Sequence, residues 1–77
     1  MNAKEARELT IASAHKLPKY EQEREEVRTA IDDAARSGRC YVDLSFFDIT
    51  NEAIMEELME DGFEMTLFEG ELFEVRW

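Results

Sequence analysis

The chain holds one cysteine, one proline, one tryptophan and one histidine in 77 residues. A lone cysteine, Cys40, permits no internal disulfide, so a reducing compartment is the expected setting. Without paired cysteines or a second histidine, the spacings of a structural zinc site are also missing, and a thin core must suffice. No stretch approaches the ~18 apolar residues of a membrane span. The opening MNAKEARELT has no apolar run of the signal-peptide kind. These absences lead to the expectation of a cytoplasmic protein with no membrane partner. The three glycines, Gly38, Gly62 and Gly70, are isolated, so no glycine-rich phosphate loop is present.

Positive charge is the other scarcity. The sequence has 9 Lys and Arg against 19 Asp and Glu, a net charge of −10. Residues 1–38 carry seven basic and eight acidic side chains, whereas residues 39–77 carry only Arg39 and Arg76 against eleven carboxylates. Such a surface repels phosphate, which argues against direct binding to nucleic acid or an anionic membrane. It favours a basic partner, or simply solubility.

What is present is enough for one α+β domain. The 44% hydrophobic content is patterned, which disordered chains lack. Residues 1–38 read as helical. Asn2 and Glu5 are spaced as a capping box and open a helix over about 3–15, with Ala3, Ala6, Leu9, Ser13 and Ala14 as its inner face. Leu17-Pro18 ends it. A second helix, from about Tyr20 to Ser37, buries Tyr20, Val27, Ile31 and Ala34 with Ala30 alongside, and Gly38 closes it.

Residues 39–77 read as an acidic β-α-β-β half. Arg39–Phe47 alternates with period two: Cys40, Val42, Leu44 and Phe46 point to the core, and Tyr41, Asp43, Ser45 and Phe47 point away. A third helix begins at Thr50 as N-cap, with Ile49 and Ile54 as its hydrophobic staple. It buries Ile54, Met55, Leu58 and Met59 and ends at Asp61-Gly62. The tail is a hairpin about Gly70, with Phe63, Met65, Leu67, Phe73, Val75 and Trp77 inward. A two-residue Glu69-Gly70 turn pairs Leu67 with Leu72 and puts the two apolar sets on opposite faces, so an odd loop is expected. A Phe68–Gly70 loop sets Glu64 opposite Glu74. A Glu69–Glu71 loop pairs Glu64 with Arg76 and is preferred. The order is α-α-β-α-β-β, with a small three-stranded mixed sheet in which the first two strands form a right-handed parallel-type crossover.

Two surfaces are candidate sites. Glu52, Glu56 and Glu60 recur every four residues, ~6 Å apart along the third helix, and Asp61 and Glu64 extend the series. The spacing is comparable to that of backbone phosphates, so this surface fits docking to a basic protein, with nucleic-acid mimicry as its strongest form. Tyr41, Phe47, Phe68 and Leu72 fall on the sheet face opposite the core set and form a candidate self-association patch. Nothing supports a cofactor, metal or catalytic site. Calcium loops need oxygen ligands at alternating positions around a glycine, which neither Asp61-Gly62 nor Glu69-Gly70-Glu71 supplies. His15 has no second ligand nearby, and no carboxylate pair is singled out for acid–base work.

The opening MNAKEAREL, Ala34-Ala35 before Gly38, and the closing Leu58, Gly62-Phe63, Val75 and terminal Trp77 resemble small uncharacterised accessory proteins encoded by tailed bacteriophages. The resemblance spans the whole chain. It implies a viral protein that acts by binding a host protein rather than by chemistry. The expectation is a non-enzymatic protein that occludes a host factor through its acidic surface. The alternatives are a homo-oligomeric small-ligand binder and a protein whose acidic face only solubilises it.

Overall fold

Asn2 caps the first helix, α1 (Ala3–Ala14), by accepting the Glu5 N–H at 2.8 Å, and its amide donates to the Glu5 carboxylate at 3.2 Å. The computed structural model describes residues 1–77. After α1 come α2 (Tyr20–Arg36), β1 (Tyr41–Asp43), a 3-10 turn (Ser45–Phe47), α3 (Glu52–Glu60), β2 (Glu64–Phe68) and β3 (Glu71–Arg76). This is an α+β fold in the order α-α-β-α-β-β. No helix is long and apolar enough to cross a membrane.

Of the inner face expected for α1, only Ala14 is buried. Ala3, Ala6, Leu9 and Ser13 are exposed, and the residues turned inward are Ile11 and Ala14. With Arg7 they form an i, i+4, i+7 line, which is the stripe that meets α3. In α2 the expected stripe holds: Val27 and Ala34 are buried, and Tyr20, Ala30 and Ile31 are half-buried. Its end is closed by Arg39 N–H to the Ala34 carbonyl at 2.9 Å and Gly38 N–H to the Ala35 carbonyl at 3.0 Å. The end of α3 repeats this, with Phe63 N–H on the Leu58 carbonyl and Gly62 N–H on the Met59 carbonyl.

The strand order is β1-β3-β2, and both neighbouring pairs are antiparallel. The sheet is therefore not mixed. β1 and β2 run parallel to each other, as their crossover through α3 requires, but β3 lies between them and takes up their hydrogen bonds. β1 is also far shorter than its period-two stretch. The Asp43 carboxylate accepts the Ser45 N–H at 2.8 Å, turning the chain into the 3-10 segment, and Asp48 follows at φ 51°. Alternation stops there. Leu44 is fully buried, but Phe46 is 87% exposed and Cys40 is exposed too. Phe47 leaves the sheet face and lies beside Gln22, Glu26 and Ala30 of α2.

The hairpin combines the two-residue turn that parity forbade with the Glu64–Arg76 register that was preferred. Glu69 (φ 51°) and Gly70 (φ 82°) form a two-residue turn with positive φ at both positions. Leu67 pairs with Leu72, and yet Glu64 pairs with Arg76 and Met65 with Val75. The register shifts between Leu67 and Thr66 because Phe73 is an extra residue on β3. The bulge resets the alternation, so Leu72 and Val75, three apart, are both fully buried. Leu72 is thus a core residue and not part of an outer patch.

The core is Val27, Leu44, Ile49, Ile54, Met55, Leu58, Leu72 and Val75. It lies between the sheet on one side and α2 and α3 on the other. The N-cap of α3 is Asn51 rather than Thr50, so Ile49 and Ile54 do not hold staple positions, although both are buried. Ala53 takes the buried place expected for Met59, which is 49% exposed.

Candidate functional site

The acidic residues of α3 divide between two jobs. Three of them hold the helices together. Arg24 donates from Nε to both oxygens of Glu57, at 3.0 and 3.3 Å, and the Tyr20 hydroxyl donates to Glu57 Oε1 at 2.9 Å. One turn further on, Arg28 bonds Asp61 at 2.6 Å. The two rungs advance together, so α2 and α3 run in the same direction. On the other flank Arg7 approaches Glu56 at 3.8 Å, while Asn51 of α3 binds Ala14 of α1, so α1 and α3 run antiparallel.

The Tyr20–Glu57–Arg24 group has a consistent electrostatic signature. Burial, then the hydrogen bond and charge of Glu57, raise the Tyr20 phenol above its ordinary value. The same carboxylate, through its hydrogen bond and its charge, raises Arg24 further. Asp43 lies below the usual carboxylate range because Ser45 donates to it from its hydroxyl and its backbone N–H. The Arg28 guanidinium sits 5.9 Å from the Phe63 ring centre, and Phe63 meets Trp77 edge-on at 6.0 Å.

Of the five predicted docking residues, Glu56 and Asp61 are therefore ion-paired within the molecule, whereas Glu52, Glu60 and Glu64 make no ion pair and are exposed. Five ion pairs form in all, which leaves fourteen carboxylates and four cations unpaired. The four cations, Lys4, Lys16, Lys19 and Arg39, all precede Cys40. From Cys40 onward every free charge is negative: Asp43, Asp48, Glu52, Glu60, Glu64, Glu69 and Glu71. The lopsided charge of the sequence thus survives folding after part of it has been spent on joining α3 to α1 and α2.

Of the predicted association patch, Tyr41 is 43% and Phe68 65% exposed, while Phe47 packs beside α2 and Leu72 is buried. Sequence reasoning missed Glu57. The signal was there: Arg24 and Arg28 are four apart, as are Glu57 and Asp61, which is the spacing of two matched rungs. It also missed Asn51, whose position just before Glu52 is an ordinary N-cap place.

A second feature is an open crease of about 770 Å³ between the α1–α2 turn and the start of α3, walled by Leu9, Ala14, Leu17, Tyr20 and Asn51. His15, which follows Ala14, is bonded through Nδ1 to the Ile11 carbonyl and lies 4.9 Å from the Tyr20 ring. No group of three or more His, Cys, Asp or Glu is arranged to hold a metal ion. No protein-family model, no curated protein and no solved structure matches the chain.

Proposed function

We propose that this chain is a non-enzymatic accessory protein of the kind tailed phages encode, which binds and occludes a basic surface of a host protein in the bacterial cytoplasm. The observation that carries the reading is the absence of any unpaired cation from Cys40 onward, where seven carboxylates are free. Glu52, Glu60 and Glu64 are the principal charge carriers, with Glu69 and Glu71 at the hairpin tip. Glu56 and Asp61 contribute through their remaining exposure. Like charges spread along one helix and one hairpin steer a basic partner toward the surface, and occlusion follows from its bulk. Where the partner handles nucleic acid, the row of carboxylates competes with phosphate for the same arginines and lysines.

The test is capture from bacterial lysate with the wild-type chain and with Glu52→Lys/Glu60→Lys/Glu64→Lys. Bound proteins should fall away in the charge-reversed chain and as salt rises. Partners retained equally by both chains, with the variant shown to be folded, would sink the reading.

The crease favours a second reading, that of a small-ligand binder. Its walls include Leu9 and Leu17, which are 55% and 54% exposed with no other element over them. An uncharged apolar dye should then bind the wild type and lose affinity in Leu17→Ser. Equal binding to both chains discards it.

A further inference from the structure

We propose that two copies of this chain join along β2, in antiparallel register about a twofold axis at Thr66, into one six-stranded sheet. The argument starts from the backbone. On β3, Trp77 N–H bonds the Cys40 carbonyl and the Phe73 carbonyl accepts the Leu44 N–H, so its odd-numbered residues face β1. Glu74 and Arg76 then face β2 and bond their partners Thr66 and Glu64. That leaves the N–H and C=O groups of Met65 and Leu67 aimed away from the sheet. No backbone group of Glu64–Phe68 bonds anything beyond β3.

Sheet edges are ordinarily guarded by lysine, proline, a bulge or a covering element. β2 carries no lysine or proline, its one irregularity lies in β3, and its only charged residue is Glu64 at the strand's start. The other edge, β1, is only three residues long, while each edge strand packs against one helix, β1 against α2 and β2 against α3. The open edge also leaves the core face unfinished. Met65 packs against the core and is half-buried, whereas Leu67, next on the same face, is 51% exposed.

A second copy fits this edge because the strand is complementary to itself. About an axis at Thr66, Met65 meets the partner's Leu67 and Leu67 the partner's Met65. These are the residues with free backbone groups, so four hydrogen bonds form, and two apolar pairs extend the core across the axis. Thr66 faces the partner's Thr66, and Glu64 faces the partner's Phe68. The two Glu64 carboxylates are then four residues apart along the strand, ~13 Å. Moving the axis to Met65 brings them within ~7 Å and calls on Phe63, whose N–H is already bonded to Leu58. Moving it to Leu67 sets Met65 against the turn residue Glu69. The Thr66 axis alone pairs the whole strand.

This inference is independent of acidic docking, and salt separates the two. Bringing together two chains of charge −10 is opposed by repulsion, so self-association strengthens between ~0.02 and ~0.3 M salt, while docking to a basic partner weakens. Sedimentation across micromolar to millimolar protein should show a dimer. Leu67→Lys, which places a charge on the edge at a position that is itself 51% exposed, should raise its dissociation constant about tenfold or more, with urea unfolding showing that the variant keeps its fold. Register is read by oxidative cross-linking in a Cys40→Ser background. Thr66→Cys should cross-link, because a pair of this type has Cα atoms ~4.5 Å apart, within the ~4.4–6.8 Å of disulfides. Glu64→Cys should not. A chain that stays monomeric at the highest concentration overturns the proposal, as does cross-linking at Glu64→Cys equal to or above that at Thr66→Cys. A peptide of another protein as the natural occupant of β2 would show itself as the first of these outcomes.

Discussion

The Asn51 side-chain amide donates to the Ala14 carbonyl oxygen at 3.0 Å, and its other end, Oδ1, accepts the Ala53 and Ile54 N–H groups. One buried side chain therefore starts α3 and holds the last turn of α1 against it. No other polar residue in the molecule is buried. An N-cap is worth about 0.5–2 kcal/mol and a buried hydrogen bond about 1 more. Asn51→Ala should thus cost about 2–3 kcal/mol, a large share of the roughly 4–12 kcal/mol expected for a chain of this length. Asn51→Ser keeps a cap but cannot span to Ala14, and should lose about half as much. Urea unfolding of the two variants checks the division, and equal losses would mean that the bridge to α1 contributes nothing.

Tyr20 and Glu57 give a pH dependence with a definite sign. The folded-state phenol is raised above its ordinary value of 10.0, first by burial and then by the neighbouring carboxylate. A raised value means that its contribution is fully present below pH 10 and is lost as pH climbs through the folded-state value. Wild-type stability should therefore fall in the alkaline range more steeply than that of Tyr20→Phe, which has no phenol to ionise. The two curves should converge at high pH, with the variant about 1 kcal/mol weaker at neutrality. Parallel curves would show that Tyr20 ionises as it does in the unfolded chain.

How much of this could be read in advance varied with how local the cause was. The starts and ends of α1 and α2 and the glycine closures depend on residues within one turn, and Asn2, Gly38 and Gly62 announced them. The length of β1 did not follow its alternation, because one carboxylate, Asp43, captured the Ser45 N–H and diverted the chain. In the hairpin the preferred register held, with Glu64 opposite Arg76, while the odd-length loop expected from parity did not form and a two-residue turn took its place. A single extra residue on β3 made this turn and register compatible, and nothing near Phe73 in the sequence marks it. The division of the acidic residues between gluing and exposure depends on which face of α3 meets α2, a long-range fact, although the matched spacing of Arg24/Arg28 and Glu57/Asp61 encodes it.

Phe46 and Leu44 test the end of β1 directly. On the alternating pattern both belong to the core. In the folded chain Leu44 is fully buried and Phe46 is 87% exposed. Leu44→Ala should cost about 2–5 kcal/mol, the range for emptying a core leucine site. Phe46→Ser should stay within about 0.5 kcal/mol of wild type, as surface changes do. Thermal or urea unfolding distinguishes the cases, and a multi-kcal loss at Phe46 would restore a longer strand.

The bulge makes the least intuitive prediction. Phe73 is the residue by which β3 outruns β2, with Leu67–Leu72 on one side and Thr66–Glu74 on the other. Deleting it should leave every β2–β3 pair in place, because Leu72 then precedes Glu74 and Val75 in unbroken alternation. Deleting a strand residue elsewhere inverts the faces that follow. The loss at Phe73 is the acceptor for the Leu44 N–H, 2.8 Å away, worth about 1–3 kcal/mol if no substitute is found. The turn behaves in the opposite way: Gly70→Ala keeps every contact but places a side chain at φ 82°, and should cost about 1 kcal/mol. The Phe73-deleted chain should still unfold cooperatively and keep cross-strand proton contacts between Met65 and Val75 by NMR. If those contacts vanish while the chain stays collapsed, the bulge positions β3 against β1 and the core as well as correcting its register with β2.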